Sequence, residues 1–234
     1  MKQTDKVLFA ILMVGLIFSF SYKTIAQTSE DKSNPQSKKK STEQVKSKHK
    51  KKSTENVNSN YDSVKIGDLE WMTENLNVDH YRNGDPIPEV QDSVQWKNVT
   101  TGAWCYYNND PENGKKYGKL YNWYAVNDSR GLAPESWHVP TKTEFETLAA
   151  VVNNDGNALK ALGQGSGRSA GTNTSGFSAL LAGYRYDDGY FYNLGYHTDF
   201  WSSTEDYASY SYDMYLNNTS GIYFYYGILG GGWT

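Results

Sequence analysis

Cysteine is almost absent from this sequence: Cys105 stands alone among 234 residues. That excludes an internal disulfide framework and any zinc cluster built from cysteine alone, so stability has to come from packing. Long apolar runs are also missing. The longest, Val7 to Phe20, has 14 residues, short of the ~20 that a bilayer-spanning helix requires. Residues 27–60 contain no aromatic residue and only Val45 and Val57 as aliphatic side chains, too little apolar surface to offset the entropy of ordering a backbone.

Charge divides the chain. Residues 1–26 carry three lysines and one aspartate, 27–60 carry nine lysines against four acids, and the remaining 174 residues hold 11 bases and 21 acids. An acidic body of this kind argues against nucleic acid as its partner. Lys2 and Lys6 before the apolar run, with Thr24 and Ala26 after it, read as a signal peptide over 1–26 cleaved before Gln27. The alternative is an uncleaved signal anchor. Either way the body is expected outside the cytoplasm, secreted or held at the cell envelope. Residues 27–60 read as a disordered lysine-rich linker in which Lys38–Val45 recurs as Lys50–Val57 with a 12-residue period. It serves as a solvated tether or as an electrostatic contact with an anionic envelope surface.

The body, 61–234, reads as one α+β domain. Gly67-Asp68 between two short apolar runs signals a hairpin over Val64–Met72. The polar, turn-rich stretch from Asn83 to Gly118 is expected to be mostly irregular, and Leu120–Val126 to form a short helix. A second helix starts near Lys142, headed by Thr141 or Thr143 with a glutamate three residues on, and ends at Asn153-Asn154-Asp155-Gly156. Asp188-Gly189 signals a two-residue hairpin turn that would set Tyr186 opposite Phe191 and Arg185 opposite Tyr192. A further hairpin joins Ser211–Leu216 to Ile222–Tyr226 through Asn217–Gly221. Two short helices, aromatic hairpins and long loops argue against a parallel sheet.

Five ordered motifs then carry a resemblance: Trp71–Asn77, Leu120–Val126, Trp137–Thr141, Ser175–Arg185 and Phe200–Glu205. Together they resemble the Fibrobacter succinogenes major paralogous domain, abundant in exported proteins of Bacteroidetes and Fibrobacter. The resemblance implies a C-type-lectin-like fold and brings no established activity. It also implies a final strand reading roughly Gly-Phe-Ser-Val-Arg-Cys, whereas this chain runs Gly227 to Thr234 as Gly-Ile-Leu-Gly-Gly-Gly-Trp-Thr. Terminal strands pair in lectin-like folds, so the resemblance predicts a missing last strand, an unfilled edge along Val64–Met72 and reduced stability, or a frameshifted tail.

Signals of catalysis are weak. Gly167-Arg168-Ser169-Ala170-Gly171 matches G-x-S-x-G but lies among glycines without the strand and helix of a nucleophile elbow. His80, His138 and His197 lie 58 and 59 residues apart, not at zinc-site spacing; His138, just before a helix, reads as a hydrogen-bonded structural imidazole. Cys105 reads as a buried, inert thiol. Glu74, Asp199 and Glu205 are the carboxylates that a polysaccharide-acting enzyme would use, two of them facing across a cleft. Asp187, Asp188, Glu205 and Asp206 are candidate calcium ligands, although turn-forming acids explain them without a metal; no other cofactor is indicated.

The positive signal is aromatic: the body holds 19 tyrosines and seven tryptophans, more than a core of this size needs. Tryptophans 71, 123, 137 and 201 lie within the motifs and read as core. Tyr190, Tyr192, Tyr207 and Tyr210, at turn edges, with Arg185 beside them, read as a surface site for a glycan or a protein. The leading expectation is therefore an exported, non-catalytic binding or adhesion module; an envelope-acting enzyme and a structural component of a surface assembly are the alternatives.

Overall fold

A computed structural model describes residues 61–207 and 210–234. The expected signal peptide and lysine-rich linker lie outside the described residues. The body is a mixed α+β domain of antiparallel sheets and short helices. Its first hairpin is the one read from sequence: β1 (Ser63–Ile66) and β2 (Leu69–Met72) pair with Val64 opposite Trp71, across a turn whose Gly67 has φ +63°.

The stretch expected to be mostly irregular is more ordered than that. It contains α1 (Ser93–Asn98), β3 (Trp104–Cys105) and α2 (Pro111–Tyr117). Asp92 caps α1 by accepting from the Gln95 N–H, and Trp96 enters the interior, where its Nε1 donates to Gly230 O at 2.9 Å. Asp110-Pro111 starts α2. Proline at the first helical position loses no bond, and the Asp110 carboxylate accepts from Glu112 N–H.

The expected helix over Leu120–Val126 divides into β4 (Leu120–Asn122) and α3 (Trp123–Val126). Buried Asn122 makes the switch. Its Oδ1 accepts from Ala103 N at 2.9 Å and Ala125 N at 3.1 Å, serving the sheet and the new helix together. Helix α4 (Lys142–Val151) carries the capping box Thr141/Glu144, buries Phe145, Leu148 and Ala149, and ends where Asn153 and Asn154 take positive φ. One further turn, α5 (Gly156–Leu159), follows, so the described residues hold five α-helices where two were expected.

Strands β5 (Tyr184–Arg185) and β6 (Phe191–Tyr192) form the third hairpin, in a register different from the expected one. Arg185 lies opposite Phe191, and Tyr184 opposite Tyr192. The turn holds three residues, not two. Gly189 N–H returns to Tyr186 O at 3.0 Å and Gly189 takes φ +88°, a type I turn followed by a left-handed residue. One extra residue moves each side chain to the opposite face. Strands β7 (His197–Tyr207), β8 (Tyr210–Asn217) and β9 (Ile222–Ile228) form the last two hairpins, of which only β8–β9 was expected, and β10 (Gly232–Trp233) ends the described chain.

These strands make three sheets: β1-β2, β3-β4-β10-β5-β6 and β7-β8-β9. The tail expected to lack a strand supplies the central strand of the five-stranded sheet, paired to both β4 and β5. Trp233 stacks on Trp201 with centroids 3.9 Å apart, and the absence of a side chain at Gly227 leaves room for the Trp233 ring. The tail does not pair with Val64–Met72; among the described residues β1 and β2 pair only with each other. Phe145, Leu148, Met214, Leu216, Trp71 and Phe177 form one core cluster between α4 and the three-stranded sheet, and Trp123, Trp201, Trp233 and Tyr121 anchor a second.

Candidate functional site: a tyrosine column over two buried carboxylates

Strand alternation places His197, Asp199 and Trp201 of β7 on one face of the three-stranded sheet. Register sets Tyr215 of β8 opposite Asp199 and Asp213 opposite Trp201, then Tyr223 and Tyr225 of β9 opposite Tyr215 and Asp213. The rings stack. Tyr215 lies over His197 at 4.6 Å and 17°, with Tyr223 on its other side at 4.8 Å and 22°, while Tyr225 meets it edge-on at 5.3 Å.

The stack continues into the neighbouring sheet. Gly183 N–H donates to His197 O at 2.7 Å, and this parallel bridge brings β5 beside β7. Tyr184 then packs on His197 at 5.1 Å, Tyr192 on Tyr184 at 5.7 Å, and Tyr186 stands edge-on to Tyr192 at 6.5 Å. Seven rings form one column that crosses two sheets. The contacts on either side of Tyr215 are face to face, the others tilted or edge-on, and Tyr186, Tyr192 and Tyr225 of the column are exposed.

Hydroxyls of the column are held by neighbours. Tyr192 Oη donates to Asp188 Oδ2 at 2.9 Å, Asn217 Nδ2 donates to Tyr215 Oη at 3.2 Å, and Tyr223 Oη and Thr219 Oγ1 lie 3.1 Å apart. Tyr190, after the β5–β6 turn, Tyr196, just before β7, and the column's own Tyr225 are 62%, 64% and 57% exposed. Such a surface is both rigid and rich in donors and acceptors, which suits polyhydroxylated or polar partners.

Beneath the column lie two carboxylates. Asp199 Oδ2 is 2.6 Å from His197 Nε2, and Asp213 Oδ1 accepts from Tyr225 N–H at 2.9 Å. Both acids are buried. Burial, reinforced by the neighbouring Asp199 charge, pushes the Asp213 carboxyl up to about 8. Burial also raises Asp199, against the pull of its hydrogen bond to His197. The pair therefore holds a proton at neutral pH, and both acids are shut off from solvent.

Of the residues expected at the site, Tyr190 and Tyr192 are where the sequence reading put them, exposed on the β5–β6 hairpin. Arg185 is not. It is completely buried, with its guanidinium over Trp96 and Phe191 at 4.5 and 4.7 Å, and it donates to Val90 O, Gln91 O and Gly189 O. The corrected register puts it there, where it fastens the hairpin to the loop before α1. Tyr210 is exposed but pairs with Tyr207 at the far end of the β7–β8 hairpin, five residues and roughly 17 Å along β8 from Tyr215.

The calcium candidates divide in the same way. Asp187 and Asp188 form the β5–β6 turn, where both Asp188 oxygens already accept, from Tyr190 N–H and Tyr192 Oη. Glu205 and Asp206 lie near the far end of β7, and Asp206 Oδ1 accepts from Tyr212 Oη. Among the described residues no cluster of three or more histidine, cysteine, aspartate or glutamate side chains is arranged to hold a metal ion. The proposed enzymatic carboxylates are also scattered: Glu74 is exposed beyond β2, Glu205 is six residues from Asp199 on β7, and Asp199 is buried.

The remaining candidates are structural. Gly167–Ser169 is a 3-10 turn rather than a nucleophile elbow. His138 Nε2 is 2.9 Å from Glu144 Oε1 at the cap of α4. Cys105 is fully buried, and burial pushes its thiol up to about 12, leaving it unreactive.

The sequence reading missed Tyr184, His197, Asp213, Tyr215, Tyr223 and Tyr225 as a group. Their alternation was visible within each strand, but the contact that joins the two sheets was not.

The family model for the Fibrobacter succinogenes major domain matches residues 64–226. The chain belongs to this family. No curated protein and no solved structure matches it beyond that. The matched span contains every ring of the column and both buried carboxylates, while β10 lies after it. All five motifs fall inside the family match, yet the column draws on only part of one of them, at Tyr184.

Proposed function

We propose that this member of the Fibrobacter succinogenes major domain family is an exported binding module that holds a glycan of the cell envelope against the tyrosine column. The observation that supports this is the set of hydrogen-bonded hydroxyls running from Tyr192 to Tyr223, together with the exposed side chains of Tyr190, Tyr196 and Tyr225. A sugar offers hydroxyls to this set and apolar C–H faces to the exposed rings, and little rotamer entropy is lost when stacked rings receive it. Burial of the Asp199–Asp213 pair favours contact over bond cleavage, since a glycosidase needs two accessible acids on opposite sides of the scissile bond.

On this reading residues 1–26 direct export, and the lysine-rich tract tethers the module or rests on an anionic envelope surface. The lectin-like fold implied by the family fits a recognition role. The acidic body disfavours nucleic acid.

The experiment is glycan-array binding of the full mature chain, with and without calcium, repeated with Tyr192→Ala and Tyr225→Ala. Specific sugar binding that falls at least tenfold in both variants is expected. Sugar binding unaffected by either variant would remove the column from the site. No sugar signal, with a surface protein captured instead, would replace the glycan by a protein. Hydrolysis of the sugar would overturn the non-catalytic reading.

A further inference from the structure

A second site, independent of the column, lies along β2. A groove of about 410 Å³ opens between this strand and walls that include Val139, Pro140, Phe177, Phe200 and Trp201. Its size falls within the range of ligand pockets. Every residue from Leu69 to Leu76 borders it without a break. A strand presenting a face would contribute alternate residues, so β2 meets the groove along its edge.

Hydrogen bonding agrees. Val64 pairs with Trp71, and Thr73 N–H donates to Asp62 O at 2.9 Å, which makes Trp71 and Thr73 the positions bonded to the β1 side. The N–H and C=O groups of Glu70 and Met72 therefore point away from β1. Among the described residues none of these four groups has a protein partner. Main-chain groups left open beside an apolar wall form a template for an added strand.

Charge defines the occupant further. Glu70, Glu74 and Glu144 line the groove; among the described residues His138 is its only basic side chain, and neither lysine nor arginine borders it. We infer that the groove takes an extended, lysine-bearing peptide segment of a partner protein as an added β-strand against Glu70–Met72, with apolar side chains at alternate positions packing near Phe177, Phe200 and Trp201. Lysines at the intervening positions face the carboxylates of the rim.

The test is calorimetric titration of the full mature chain with an acetylated, amidated Lys-Val-Lys-Val-Lys peptide and two N-methylated forms, one blocked at the valine amides and one at the lysine amides. Only one set of amides can face the β2 edge, so one form should lose at least tenfold in affinity while the other keeps it. Glu74→Lys, at an exposed position, should weaken the parent peptide severalfold, and Tyr192→Ala should leave it unchanged. Absence of binding, or equal binding by both methylated forms, would overturn strand addition. Loss of peptide binding in Tyr192→Ala would overturn the independence of the two sites without bearing on the glycan reading.

Discussion

Lys160 Nζ donates to Thr219 O at 2.7 Å across 59 residues of sequence. The same ammonium reaches Ser169 O at 2.7 Å and Asn217 O at 3.0 Å, so one completely buried lysine ties the glycine-rich loop after α5 to the turn between β8 and β9. Among the described residues it has no carboxylate partner in hydrogen-bonding range; three carbonyl dipoles hold the charge.

Lys160→Met keeps much of the stem volume and leaves those three oxygens without their donor. Unsatisfied buried acceptors cost ~1–3 kcal/mol, so the variant should lose about that much stability in urea denaturation. The expected local sign is faster amide exchange at Asn217–Gly221 than at α4. Unchanged protection of that turn would show that the lysine is a passenger.

The pH dependence of stability follows from Asp213. Its folded pKa, about 8, exceeds the ordinary value of 3.8. Below pH 4 both folded and unfolded chains keep the proton and this group has no effect. As pH rises from 4 to 8 the unfolded chain releases the proton while the folded one retains it, so stability from this group is lost progressively and levels off above 8. Asp199 shifts in the same direction. Asp213→Asn should therefore gain on the wild type as pH rises from 4 to 8 in thermal melts. A constant offset across that range would place the proton elsewhere.

What the sequence disclosed, and what it withheld, follow one physical division. Helix α4 was legible because its cap is local: Thr141 and Glu144 lie three residues apart and satisfy each other's orphan groups. The β8–β9 hairpin was legible for a similar reason, through alternation and a turn within one short stretch. Arg185 was misplaced by a single turn residue, since the choice between two- and three-residue hairpins reverses every side chain beyond it. The tyrosine column was illegible because it depends on Gly183 meeting His197, a contact between sheets that no periodicity encodes. The surplus of tyrosine announced a surface; only tertiary packing chose which rings compose it.

Arg185 offers a test of that corrected register. Its fork donates to three main-chain oxygens and lies between Trp96 and Phe191. Lysine keeps the charge but has neither the planar stacking surface nor the fixed fork. Arg185→Lys should cost about 2 kcal/mol or more, as expected when a buried charged hydrogen-bond network is broken, and near-ultraviolet circular dichroism from the tyrosines should weaken. A surface arginine, as the two-residue turn implied, would tolerate the change within about 0.5 kcal/mol.

The tail supplies the last prediction. Trp233 stacks on Trp201, and Gly227 leaves the space its ring occupies. A methyl group at residue 227 would collide with that ring, so Gly227→Ala should displace β10 from between β4 and β5. Trp233→Ala removes the same anchor by creating a cavity, at a cost of ~3–5 kcal/mol for a buried tryptophan. Both variants should expose the chain after Ile228 to limited proteolysis. Because β5 also borders β10, the Tyr184–His197 contact should loosen as well, lowering protection of the column more than that of α4. If either variant resists cleavage as well as the wild type does, the terminal strand does not contribute to holding the sheet.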